Sequence, residues 1–153
     1  MDWIAFIGFF AACCAAAASG ALFPPGDWYD ELARPSWTPP NWLFPVAWTT
    51  IYILISVAGA RIAALSDAGA VLSFWAAQMV INAIWSPVYF GLRRMKASLI
   101  IIGALWIAVA ATMVAFWSYD PVAGALFAPY LLWVTIAGAL NYQFLRLNPS
   151  YAT

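Results

Sequence analysis

The sequence predicts an all-α integral membrane protein, a bundle of five transmembrane helices with one long lid loop between helices one and two. Three observations predict it. Of 153 residues, 66% are hydrophobic and only 8% are charged, whereas a soluble domain carries roughly a quarter charged residues and is about half apolar. A soluble domain this small would expose a large surface, so the apolar excess must face lipid. The charges also cluster. The acids Asp2, Asp27, Asp30, Glu31, Asp67 and Asp120 and the bases Arg34, Arg61, Arg93, Arg94, Lys96 and Arg146 leave charge-free stretches at 3–26, 35–60, 68–92, 97–119 and 121–145. Each exceeds the ~20 residues that cross a ~30 Å hydrocarbon core. Finally, none of these stretches alternates apolar with polar residues, as the strands of a closed barrel would.

The first helix is expected over 3–22. Gly8, Ala12, Ala16 and Gly20 recur every fourth residue, a small-residue stripe of the kind that lets helix backbones approach in lipid. Met1 and Asp2 precede it without a Lys or Arg side chain, so it reads as a retained helix rather than a signal peptide. Cys13 and Cys14 are adjacent, a spacing poorly suited to pairing, and read as small hydrophobes. Residues 23–41 form the only long connection, FPPGDWYDELARPSWTPPN. Its prolines at 24, 25, 35, 39 and 40 stiffen it, and Trp28, Tyr29 and Trp37 argue against disorder. An ordered lid with a short helix near 27–33 is expected; an interfacial aromatic anchor is the other reading.

Helices two to five are expected at about 42–63, 70–90, 97–117 and 122–145, in a single domain over 1–153 without an internal repeat. Short connections make consecutive helices antiparallel neighbours. Pro87 and Pro129 interrupt helices three and five, and such breaks line cavities in membrane proteins. Loop one, loop three and the C-terminal end carry five of the six bases, which points that side toward the cytoplasm. Whether the host membrane is an inner or an outer one is left open.

Several functions lose their basis. Net charge is zero with no basic run, so nucleic-acid binding has no electrostatic footing. The absence of histidine removes the commonest metal ligand and general base, so no metal site or required cofactor is expected. No charge lies within the spans, which counts against an ion-driven pump.

Ten tryptophans are more than interfacial belts need. Trp3, Trp42 and Trp117 lie near helix ends. Others fall on stripes at helical spacing: Phe44, Trp48, Tyr52 and Ile55 on helix two; Trp75, Gln78, Asn82, Trp85 and Tyr89 on helix three; Tyr130, Trp133, Ala137, Asn141 and Phe144 on helix five. Asn82 and Gln78 are costly in lipid unless hydrogen-bonded. They either join helices, at ~0.6 kcal/mol per contact, or offer an amide to a ligand. Aromatic walls with few polar groups suit a large, flat, apolar small molecule. Leu140, Tyr142 and Arg146 match a proposed sterol pattern of low specificity.

The segments RPSWTPPNWLFPVAWTTIY at 34–52, QMVINAIWSPVYFGL at 78–92 and APYLLWVTIAGALNYQFLRLN at 128–148, with DWYDELARPSW at 27–37, resemble the translocator protein family, TspO/MBR, also called tryptophan-rich sensory proteins or peripheral-type benzodiazepine receptors. The resemblance is to bacterial members above all and implies a bacterial membrane. It implies a five-helix fold with loop one as a lid, a homodimer, and a membrane receptor or transporter that binds protoporphyrin IX, sterols in some members, and benzodiazepine-type ligands. By the same resemblance Tyr29, Trp48, Asn82, Trp133 and Ala137 match the ligand pocket; Trp37 and Phe44 are added as aromatic candidates. Trp48 and Trp133 also match tryptophans implicated in light-dependent degradation of porphyrin, so an enzyme is one alternative and a membrane scaffold or sensory regulator another.

Overall fold

The structure, a computed structural model, describes residues 2–151; Met1, Ala152 and Thr153 of the predicted domain lie outside the described residues. Five apolar helical spans cross the molecule, and no strand occurs among the described residues. The first is α1 (Trp3–Leu22), and the short α2 (Asp27–Asp30) sits in the lid. The second span is α3 (Leu43–Ala63). The third runs from a 3₁₀ turn at Gly69–Val71 through α4 (Leu72–Ser86) into a π turn at Pro87–Gly91. The fourth is α5 (Met95–Tyr119), and the fifth is split into α6 (Pro121–Ala125) and α7 (Ala128–Leu147). Large apolar side chains such as Ile4, Ile100, Ile107 and Val114 face outward, as lipid contact requires. Trp3, Trp42 and Trp117 are exposed near span ends.

Local chemistry explains the helix ends and breaks. Asp2 caps α1, its carboxylate accepting from the N–H groups of Ile4 at 2.9 Å and Ala5 at 3.2 Å, which satisfies donors left free at a helix start. Asp120 does the same for α6 through Val122 and Ala123, with Pro121 in the first turn, where its missing N–H costs nothing. Pro87 has no N–H to give the Ala83 carbonyl four residues back. Ser19 of α1 supplies a substitute, its Oγ lying 2.9 Å from that carbonyl and 2.7 Å from the Ala16 carbonyl. The one hydroxyl proton is shared between the two carbonyls, so a neighbouring helix offsets part of the hydrogen bond that the proline removes.

Two expectations are corrected. Around the bundle the spans follow the order first, second, fifth, fourth, third. The second and third are therefore not simple neighbours, despite their short connection. Phe9 of α1 wedges between them, 4.7 Å from the Trp75 ring and against Gly59, where an added Cβ would lie 2.8 Å from the Phe9 ring. The small-residue stripe of α1 is likewise not one packing face. At 3.6 residues per turn, a strict four-residue spacing drifts by about 40° per step. Ala16 and Gly20 consequently face the bundle, while Gly8 and Ala12 are exposed. The inward face of α1 is Phe9, Cys13, Ala16 and Ser19, with Cys13 Sγ 3.5 Å from Ser56 Oγ; Cys14 is exposed.

The two ends of the bundle are tied separately, as the alternating topology requires. At one end Arg61 bonds Asp120 at 2.6 Å. This hydrogen bond leads the causes that hold the Asp120 carboxyl below its ordinary pKa, and the Ala123 and Val122 N–H groups contribute. At the other end loop one meets loop three and the C-terminal turn. Arg93 lies over the Trp28 ring at 5.6 Å, and Tyr151 packs edge-on against the same indole.

Candidate functional site

A cavity of about 640 Å³ occupies the half of the bundle nearest loop one. Its position follows from the packing of the first two spans. They are joined at one end by Phe9 on Gly59 and Cys13 on Ser56; at the other, Ala16, Ala17 and Gly20 of α1 and Phe44, Pro45 and Trp48 of α3 line open space. Small residues on one wall and rings on the other leave a volume within the ~300–1,000 Å³ range of small-molecule sites.

The three stripes seen in the sequence converge on this space unequally. From α3 come Phe44, Trp48 and Tyr52; from the third span Asn82, Trp85 and Tyr89; from α7 Trp133, Ala137, Asn141 and Phe144. Trp48 meets Tyr52 at 5.4 Å and Tyr130 at 5.9 Å, and Phe44 meets Trp133 edge-on at 5.6 Å. Trp75 and Gln78, lower on the third span, are buried outside the cavity wall. Trp75 donates to the Ile55 carbonyl at 3.0 Å.

Asn82 accepts from the Tyr52 hydroxyl at 3.2 Å and donates to the Tyr130 hydroxyl at 2.6 Å. It therefore joins three spans, which is the helix-joining reading of this amide. One amide hydrogen and one carbonyl lone pair remain on a side chain that also lines the cavity, so the ligand reading keeps a chemical basis.

The lid closes the wide end. Tyr29 packs 5.4 Å from Phe144 and 5.5 Å from Phe90, with Arg34 4.9 Å over its ring. Burial raises the Tyr29 phenol above its ordinary pKa, and the Arg34 charge offsets part of the rise. Among the described residues Asp30 is the one charged residue lining the cavity, and its carboxylate is bonded to Arg34 at 2.6 Å. The inner wall is therefore uncharged. Among the described residues no three His, Cys, Asp or Glu side chains meet in a metal-binding group.

Some predicted residues lie elsewhere. Trp37 is 45% exposed and outside the wall, in a turn closed by the Thr38 N–H on the Pro35 carbonyl. Leu140 lines the cavity, but Tyr142 is exposed and carries Arg146 over its ring at 6.0 Å. Residues two apart point to opposite sides of a helix, and residues four apart share one. The three residues of the sterol pattern thus do not form one surface.

Asn148, which the sequence reading did not single out, fastens the lid. Its carbonyl accepts from the Ala33 N–H and its amide donates to the Ala33 carbonyl, both at 3.0 Å. Its only sequence signal is an Asn just beyond the last turn of α7. Asn148→Ala removes both bonds, each contributing about 0.5–1.5 kcal/mol. Hydrogen exchange at the amides of residues 28–33 is expected to accelerate roughly tenfold; unchanged exchange would mean that the aromatic contacts alone hold the lid.

The model of the TspO/MBR family matches residues 9–147. The chain is 49% identical to "Protein CrtK" of Rhodobacter capsulatus, over 97% of its own length and 96% of the relative's. It is 50% identical to the "Tryptophan-rich sensory protein" of Cereibacter sphaeroides, over 97% and 94%. The human "Translocator protein" is 31% identical, over 95% of this chain and 91% of the relative.

Proposed function

The chain belongs to the TspO/MBR family, a multi-pass membrane protein with bacterial relatives, and we propose that it is a receptor or carrier binding tetrapyrroles such as protoporphyrin IX in its intramembrane cavity. The observation that carries this reading is the cavity itself: about 640 Å³, walled by aromatic rings and free of inner charge. A flat macrocycle offers stacking area to Trp48, Trp133 and Phe44 while its polar edge lies under Tyr29 at the lid. The relatives' names, "Translocator protein" and "Tryptophan-rich sensory protein", agree in kind with a carrier or a receptor. Sterols and benzodiazepine-type molecules share the apolar character the walls favour. The test is a titration of purified protein with protoporphyrin IX in the dark, followed by tryptophan quenching. Saturable quenching is expected, and a linear, unsaturable response would remove the proposal.

A second reading has its own observation, because Trp48 and Trp133 line the same space. An excited bound porphyrin can take an electron from an indole, with dioxygen as the terminal oxidant. Trp48→Phe and Trp133→Phe keep an aromatic wall but are harder to oxidise. At matched occupancy both variants are expected to slow light-driven loss of porphyrin absorbance while dark samples stay constant. Identical decay in wild type and variants would leave the protein a binder or carrier only.

A further inference from the structure

The outer surface between α5 and α7 carries a strip with a cation on each rim. On α5, Lys96, Ile100, Gly103 and Ile107 recur at steps of four, three and four residues and are all exposed, so they share one outward face. On α7, Arg146, Tyr142, Ala139 and Thr135 recur at the same steps in the reverse direction and are exposed as well. Three contacts fix the register of these antiparallel helices. Trp106 Nε1 donates to Thr135 Oγ1 at 2.9 Å. A Cβ on Gly138 would lie 3.7 Å from Ile102 Cγ2. Asn141 donates to Ser98 Oγ at 2.9 Å. One further turn in that register brings Arg146 within about 5 Å of Lys96 in height, at ~1.5 Å per residue.

The middle of the strip is open and its lower end is fixed. An added Cβ at Gly103 meets nothing within 4 Å, and Ala139, at about the same height, carries only a methyl group. The Trp106–Thr135 bond closes the strip near the middle of α5, which runs Met95–Tyr119. Lys96 stands about 15 Å along the axis from Trp106, half of the ~30 Å hydrocarbon core. The strip is therefore one leaflet long. At its upper end the Arg146 guanidinium lies over the Tyr142 ring at 6.0 Å, which keeps it on this face. The ion pairs among the described residues are Arg34–Asp30 and Arg61–Asp120, so neither Lys96 nor Arg146 is neutralised by one. The acids of this end, Asp27, Asp30 and Glu31, all belong to the lid.

We propose that this strip seats one phospholipid of net negative charge from the leaflet on the loop-one side. Its phosphate lies between Lys96 and Arg146, and an acyl chain runs over Gly103 down to the Trp106–Thr135 bond. The five spans already place this face in lipid; the two unpaired cations and the one-leaflet length select among lipids. Packed helix axes lie about 8–10 Å apart, a gap that two long basic side chains can close around one phosphate. A zwitterionic headgroup brings its own ammonium, which the same cations repel. The site is on the outside of the bundle and does not depend on what the cavity binds.

The test is native mass spectrometry of purified, delipidated full-length protein titrated with palmitoyl-oleoyl phosphatidylglycerol or with the phosphatidylcholine of the same chains. Each basic side chain near anionic lipid contributes about fivefold in affinity, so wild type is expected to bind the first phosphatidylglycerol on the order of thirtyfold more tightly. Lys96→Gln and Arg146→Gln should each reduce that preference about fivefold, and the double variant should bind the two lipids nearly alike. A general excess of positive charge at this end would favour anionic lipid without any site. Arg93→Gln controls for it, because that guanidinium lies over Trp28 in the lid at 5.6 Å. It removes the same charge and should leave the preference within about twofold. Gly103→Leu fills the open middle and should weaken both lipids roughly threefold or more through lost contact, with the preference kept. All substituted positions are exposed, so the fold is expected to persist in each. Equal binding of the two lipids by wild type, a preference that survives the double variant, or an equal loss in Arg93→Gln would overturn the headgroup site. Unchanged affinity in Gly103→Leu would overturn the acyl seat. A dimer without bound lipid that Gly103→Leu dissociates would mean that a second copy of the chain covers this face, and would also overturn the proposal.

Discussion

Asn82→Leu is expected to lower both stability and ligand affinity, the first more than the second. Leucine has the branching and heavy-atom count of asparagine but removes the amide that bonds Tyr52 and Tyr130. Tyr130 is fully buried, and its hydroxyl loses the hydrogen bond that Asn82 donates. Stranding such a group costs about 1–3 kcal/mol. Tyr52 lines the cavity, where its hydroxyl can turn to water, so its loss adds less. The melting temperature in detergent should therefore fall by several degrees. Affinity for a carbonyl- or carboxyl-bearing ligand should fall roughly three- to tenfold, the loss of one hydrogen bond. The double variant Asn82→Leu/Tyr130→Phe should recover most of the stability, because removing both partners of a buried bond is far milder than removing one. That recovery is a coupling between contacting residues and is read as a double-mutant cycle. A single variant with wild-type melting and weakened ligand binding would show that Asn82 serves the ligand and not the bundle.

Gly124→Ala is expected to destabilise the protein more than any other single-methyl addition at its glycines. The added Cβ would lie 2.7 Å from Trp117 Cα and 2.8 Å from Trp117 N. These are backbone atoms of the adjoining helix, and a rotamer change cannot move them. The tight α5–α6 corner must open, which places the cost at or above the upper end of the ~1–3 kcal/mol typical of overpacking. Gly59→Ala presses on the Phe9 ring, a side chain that can turn, and should cost less. Gly103→Ala meets nothing within 4 Å and should be neutral or stabilise by up to ~1 kcal/mol, since alanine is the better helix former. Unfolding of the three variants under one set of conditions should rank them in that order. Equal stability for Gly124→Ala and Gly103→Ala would mean that the corner between the last two spans is far looser than its geometry.

Span number and approximate bounds were legible because charge exclusion is a one-dimensional property: a charge in hydrocarbon is costly wherever the neighbouring helices sit. The bounds that moved did so at span ends. Met95 and Lys96 begin α5, because a charged side chain at an interface can reach water and need not end the helix. The break between α6 and α7 was signalled by Pro129. The π turn after Pro87 was signalled as an interruption but not as a type, because a proline removes a hydrogen bond without saying which backbone or side-chain donors of the fold, Ser19 of α1 among them, take up the freed carbonyls.

The candidate site was legible as stripes but not as a site. Periodicity alone places Trp75, Gln78, Asn82, Trp85 and Tyr89 on one face of the third span, yet only the last three line the cavity. Asn141 carried the same kind of sequence signal as Asn82, an amide in an apolar helix. What separates them is partners: two tyrosines for Asn82, a serine and an unpaired carbonyl for Asn141. Partners of that kind come from helices distant in sequence.

The sequence by itself determined that this chain crosses a membrane five times, that a stiff aromatic loop follows the first helix, and that its interior must be lined by rings and a few amides. Those properties follow from transfer free energy and helical period, which each segment carries alone. The tertiary structure decided the order of spans around the bundle, which end of the α1 stripe faces inward, why Trp37 and Tyr142 stay outside, and which polar atoms are left unpaired. These depend on where Phe9, Ser19 and Asn148 happen to meet other segments. Lipid is as apolar as most of the side chains, so hydrophobicity places helices in the membrane but cannot choose between neighbours. Close packing and a handful of buried hydrogen bonds make that choice.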